Sequence, residues 1–182
     1  MMDSRVVTVF GSAQVEPGSP SYEEARLAGK LLAEAGVTVC NGGYGGVMEA
    51  VSRGAKEAGG TTIGVPIKQF ASYPPNRWLD QVVWADTFQE RLQTVMSLGQ
   101  AYLALHGGIG TLTEISLAWS LLQTHSIPAR PLVLLRHPWQ GLLDYCRAEL
   151  IIRPTDFAWV QMVDSVQAAV QMVIAALQNT AA

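Results

Sequence analysis

The chain has 182 residues, enough for one domain with a substantial core and short for two, so a single domain over 1–182 is expected. Hydrophobic residues make up 49% of it, charged residues 15%, and the formal net charge is −3 with no basic run, which excludes an ordinary phosphate-tracking nucleic-acid surface. Cys40 and Cys146 stand far apart and outside any C-x-x-C pair, which excludes a disulfide or metal framework built on cysteine.

In chain order, residues 5–10 predict a first strand ending at Gly11 and Ser12. Residues 21–35 predict a helix with Ser21 as its cap, Glu23 and Glu24 in the first turn and Gly36 as its stop. A strand at 37–40, a helix at 47–58 and a strand at 61–65 follow. The pattern breaks over 68–76 around Tyr73, Pro74 and Pro75, a composition that suits a substrate-side flap. Beyond it come a strand at 82–85, a helix at 87–98 and a strand at 101–105. Then come a helix at 111–123, a strand at 131–135, a helix at 138–150, a strand near 158–163 and a helix at 165–177, with residues 179–182 as a frayed tail. Short apolar runs alternating with helical segments require parallel strands joined by crossover helices. The expected fold is therefore a three-layer α/β domain with a doubly wound, Rossmann-like parallel sheet. No apolar stretch reaches a membrane span and the start lacks the long apolar region of a signal peptide, so a cytoplasmic protein without a membrane partner is expected.

Two segments share one design, an apolar strand followed by paired glycines and a helix: residues 41–46 (NGGYGG) and residues 106–111 (HGGIGT). The first N–H groups of a helix lack internal partners and carry the positive end of its dipole, so both loops are candidates to close around a phosphate. Paired glycines also serve as plain tight turns. Neither loop ends in G-K-[ST] or fits G-x-G-x-x-G with its distant acid, which disfavours an ATPase or a dehydrogenase. Glu114 follows Thr111 by three positions; this puts a hydroxyl and a carboxylate on one helical turn, and it is equally the spacing of a capping box. Glu49 sits similarly on the preceding helix. His106, His125 and His137 lack the spacing of a helical metal pair, so no metal is expected.

The segments GGYGGVMEA at 42–50 and GGIGTLTE at 107–114 resemble the paired signatures of the LOG (Lonely Guy) family, the cytokinin riboside 5′-monophosphate phosphoribohydrolases, often labelled lysine decarboxylases. Residues 9–12, residues 19–22 and the pair Glu90-Arg91 resemble further parts of that family. The resemblance implies a hydrolase that splits a nucleoside 5′-monophosphate, of the AMP or cytokinin type, into free base and ribose 5-phosphate without a cofactor. It implies Glu114 and Arg91 as catalytic residues. It implies Gly107, Gly108, Gly110 and Thr111 as the phosphate loop, with Gly42, Gly43 and Gly46 lining the other side. On residues alone, Arg91 is also readable as a surface arginine paired with Glu90. Three positions depart from the family pattern: His106 stands for proline, Leu92 for lysine and Glu49 for glycine. They alter loop rigidity, remove a positive charge and add a carboxylate expected beside the phosphate. The same loops also resemble molybdenum-cofactor carriers, which leaves a non-catalytic binding protein as the alternative. A pyridoxal decarboxylase would need a Schiff-base lysine, and Lys30, Lys56 and Lys68 carry no such pattern. The resemblance, together with an apolar content above what a monomer's surface requires, implies a homodimer or higher homo-oligomer, with helices 87–98 and 111–123, carrying Trp119, Leu121 and Leu122, as its interface.

Overall fold

In the computed structural model, which describes residues 5–70 and 72–179, seven strands form one sheet. They are β1 (Val6–Phe10), β2 (Thr38–Asn41), β3 (Thr62–Gly64), β4 (Gln81–Val82), β5 (Ala101–Ala104), β6 (Leu132–Leu135) and β7 (Val160–Val163). Their order is β4-β3-β2-β1-β5-β6-β7 and every pairing among the described residues is parallel. The expected frayed tail falls at residues 180–182, outside the described residues; Asn179 itself closes the last helix.

The chain enters at the middle of the sheet, winds outward to β4, returns to place β5 beside β1, and winds outward again to β7. Side chains alternate across each strand, so the two faces collect different partners. Val7, Val9 and Leu103 face one layer, made of α1 (Pro20–Glu34), α2 (Val47–Glu57) and α6 (Val166–Asn179). Phe10, Tyr102 and Ala104 face the other, made of α3 (Phe88–Leu98), α4 (Ile109–Gln123) and α5 (Arg136–Glu149). These are the three layers and the double winding that the alternating sequence implies. The strands β1, β5 and β6 are buried on both faces, which is why they read as nearly continuous apolar runs; Thr8 in β1 is buried with its hydroxyl donating to Val95 O at 2.9 Å.

Several boundaries differ from the sequence expectation for local reasons. The cap of α1 is Ser19, whose Oγ accepts from Tyr22 N at 3.3 Å, and not Ser21; Pro20 takes the first helical position, where its missing N–H costs nothing. Helix α4 begins at Ile109, two residues early, with Gly108 at its cap and no side-chain capping bond. Thr111 therefore lies inside the helix, and the capping box of Thr111 and Glu114 does not form. Of the strand expected over 82–85, regular pairing ends at Val82, because the neighbouring strand meets Pro66, which has no N–H to continue the ladder; the segment touches the sheet again at Ala85, in an isolated parallel bridge to Ile67. Residues 154–159 form a 3-10 turn before β7 begins. Leu122, expected at a subunit interface, is fully buried in the core of its own chain, and Trp119 donates its indole N–H to Asp156 O at 2.8 Å.

Candidate active site

A reversal of strand order leaves a crevice outside the carboxyl ends of the two strands that flank it, here β1 and β5. A cavity of about 380 Å³ lies there. Gly11, Ser12, Ala13 and Gln14 line it from the loop after β1, Met48 from α2, Arg91 from α3, and Gly108 to Thr111 with Glu114 from α4. The first turn of α4 thus faces the cavity with backbone N–H groups that have no partner within the helix and no side-chain cap. The helix dipole adds positive potential at that point, so this wall suits an anion.

The first glycine loop is built otherwise. Val47 N, at the start of α2, donates to Ser12 O at 2.8 Å, and Gly43 N donates to Asn41 Oδ1 at 2.8 Å. Gly43 and Gly46 take φ of +85° and +64°, a region that glycine enters without strain. A Cβ on Gly46 would overlap Ser12 O. This loop is packed against the β1–α1 loop, and Gly42, Gly43 and Gly46 do not line the cavity. Gly107 does not line it either; it abuts the Thr111 side chain. Of the glycines expected around a phosphate, Gly108 and Gly110 are the two that reach the cavity wall, together with Thr111.

Arg91 and Glu114 come together. Arg91 Nη1 donates to Glu114 Oε1 at 3.1 Å and Arg91 Nε donates to Val65 O at 3.0 Å. The two residues are only 8% and 6% exposed, so this is a buried ion pair at the floor of the cavity and not a surface contact with Glu90. Burial pushes the Glu114 carboxyl above its ordinary range, and the Arg91 guanidinium pulls it back only in part. Beneath the pair, burial pushes the Cys40 thiol up to about 12, which keeps it neutral and unreactive.

A second cavity of about 550 Å³ adjoins the first and shares Ala13, Gln14 and Arg91 with it. Its remaining wall is Tyr44, Gly45, Ile67, Phe70, Tyr73 and Phe88. The Tyr44 hydroxyl accepts from Ile67 N at 2.8 Å, which fixes its ring as a wall. Tyr73 and Phe70 come from the 68–76 segment, so that segment does lie beside the candidate site. Gln14, Tyr44, Met48 and Phe88 were not singled out by sequence; the turn at Gly11 and Ser12 was the available signal for the first of them. The three departures point elsewhere. His106 offers its carbonyl to Ser12 N at 3.0 Å, while its ring lies 3.2 Å from Glu24 Oε2 through Nδ1 and edge-on to His137. Leu92 and Glu49 are not among the lining residues, so the carboxylate expected beside the phosphate is not in the cavity wall.

Residues 4–136 match the SLOG cluster4 family. The chain is 33% identical over 168 residues to a cytokinin riboside 5′-monophosphate phosphoribohydrolase of Mycobacterium tuberculosis, covering 84% of this chain and 87% of that one. It is 28% identical over 174 residues to a protein of the same name from Rhodococcoides fascians, covering 90% and 86%. Among solved structures, a molybdenum cofactor binding protein from Rippkaea orientalis superposes with a TM-score of 0.77 at 22% identity over the whole of both chains. The molybdenum cofactor carrier protein of Chlamydomonas reinhardtii gives 0.76 at 24% identity, covering 96% of this chain and 99% of that one. Those two likenesses are of fold.

Proposed function

The chain belongs to the LOG family, by its match to SLOG cluster4 and to the mycobacterial relative, and from that membership we propose that it hydrolyses the N-glycosidic bond of a nucleoside 5′-monophosphate. The products are a free base and ribose 5-phosphate, and the substrate is of the AMP or cytokinin riboside monophosphate type. The observation that carries this reading is the buried Glu114–Arg91 pair facing the same cavity as the uncapped first turn of α4.

In this reading the phosphate sits on the N–H groups around Gly108, Gly110 and Thr111, with Gly107 leaving the room that the Thr111 side chain occupies. Gly42, Gly43 and Gly46 act through the shape of their loop rather than by touching the phosphate. The base lies toward the aromatic cavity. As the bond between the anomeric carbon and the base nitrogen breaks, positive charge grows on the ribose, and the Glu114 carboxylate stabilises it. Water adds its oxygen to the anomeric carbon, and the departing base leaves with a proton. Arg91 favours the ionised form of that carboxyl against the burial that opposes it, and fixes its orientation.

The test is to incubate the protein with purine and pyrimidine monophosphates and to assay ribose 5-phosphate and free base together. Release of both from at least one monophosphate is expected. The second reading, a nucleotide or molybdenum-cofactor carrier, draws on the larger cavity beside the anion-suited wall and on the shared fold. It requires tight binding with no released base, and it leaves the buried Glu114–Arg91 pair without a chemical task.

A further inference from the structure

Gly42 is a glycine that its backbone does not require. Gly43 and Gly46 in the same loop take positive φ, whereas Gly42 does not, so its conformation is open to any residue. The space around it is what excludes a side chain. A Cβ at Gly42 would overlap Arg91 Nη2 and stand 2.9 Å from Arg91 Cζ and 2.8 Å from Met48 Sδ.

We propose that Gly42 is a positioning residue for Arg91: its missing side chain is the slot that receives one arm of the guanidinium and so aims another arm at Glu114. The inference rests on the hydrolase reading given above for its effect on turnover. The guanidinium is a rigid plane, with Nε fixed on Val65 O and Nη1 on Glu114 Oε1. A methyl group in the slot pushes on Nη2, and because the three nitrogens are coplanar the whole fork tilts. With Nε anchored on Val65 O, that tilt turns Nη1 off its line to Glu114 Oε1. The atoms that must yield are the ends of two flexible side chains, Arg91 and Met48, and not backbone. The variant chain therefore folds while its arginine is misdirected. Arginine is specifically at issue here, since a lysine in its place has no second arm to occupy the slot.

The experiment is a mutant cycle with Gly42→Ala and Arg91→Lys. With Arg91 present, Gly42→Ala should lower kcat at least about tenfold, as expected for losing a hydrogen bond to a charged group. KM should stay within about threefold, because the phosphate wall on α4 is untouched. The acidic limb of the pH–rate profile should move to higher pH, since a carboxyl deprived of its guanidinium is protonated more readily. In the Arg91→Lys background the same alanine should change kcat less than about twofold, because the atom it displaces is gone. An equal loss in both backgrounds, or no loss with Arg91 present, overturns the proposal. If Gly42→Ala lowers the melting midpoint, recovery of that midpoint in the Arg91→Lys background supports the proposal and an undiminished loss overturns it. A further readout does not depend on turnover. With carboxyl-labelled glutamate, NMR titration should show the Glu114 carboxyl moving upward in Gly42→Ala. If the wild-type chain releases no base from any monophosphate, the hydrolase reading fails. An upward shift still sustains the role of Gly42, and an unchanged titration ends it.

Discussion

Glu114 is the residue whose protonation decides both proposed chemistry and local energetics. Replacing it with Gln keeps its size and an acceptor for Arg91, and removes the charge. Turnover should fall by roughly a hundredfold, or about 3 kcal/mol of transition-state stabilisation, while nucleotide affinity changes little. A Glu114→Gln variant that hydrolyses at the wild-type rate would remove Glu114 from the mechanism. Stability should respond to pH in a defined direction. The folded carboxyl sits above its unfolded range, so the folded chain holds that proton more tightly than the unfolded one. Its stabilising contribution is complete below the unfolded range and is lost as pH rises through the folded value. Urea unfolding across that interval should show wild type losing stability relative to Glu114→Gln as pH increases; a gain would mean that Arg91 outweighs burial. Much of this is legible in the residues: the spacing puts Thr111 and Glu114 on one turn, and the family signature implies both charged partners. The spacing equally allows a capping box. That box does not form because α4 starts at Ile109, where no Ser, Thr, Asp or Asn marks a cap and Gly110 weakens the helical pattern.

At the scale of elements, glycines that look alike in sequence do different work, and the distinction lies in what surrounds them. Gly29 on α1 and Gly54 on α2 bring those helices into backbone contact, since a Cβ on either would overlap a backbone carbonyl of the other helix, Val51 O or Arg26 O. Backbone cannot swing aside as an arginine tip can. Gly54→Ala should therefore destabilise the chain by about 1–3 kcal/mol or more, measured by urea unfolding, whereas Gly42→Ala should leave the melting midpoint within a few degrees. If Gly54→Ala unfolds no earlier than wild type, the close packing of α1 on α2 is not what fixes their spacing. The helices and buried strands were legible because their periodicities differ. The first glycine loop was not, because a loop that receives Ser12 O and a loop that faces a cavity have the same composition until the neighbouring chain is in place.

For the whole molecule, the alternating pattern was enough to specify a doubly wound parallel sheet, yet it could not assign apolar residues to core or to interface. Leu121 and Leu122 are adjacent and alike in sequence; Leu122 is fully buried and Leu121 is half-buried. Large apolar side chains remain exposed at Val83, Trp84 and Phe88 along the β4 edge and the start of α3, and at Ile109 at the start of α4. A second copy of the chain covering this region would explain their exposure, and light scattering should give a mass at least twice the 19.6 kDa of one chain. The mass of one chain at micromolar concentration would exclude the dimer. No described helix is long and apolar enough to cross a membrane. The sheet order carries one more implication. Arg91 arrives on α3, the last helix of the half that winds out to β4, and Glu114 on α4, the first helix of the half that winds out to β7. Their hydrogen bond spans the seam where β1 meets β5. Either half assembled alone would hold one member of the pair and no partner for it. During refolding, turnover should thus return only once the two halves have docked, making activity a report on completed assembly rather than on the formation of either half.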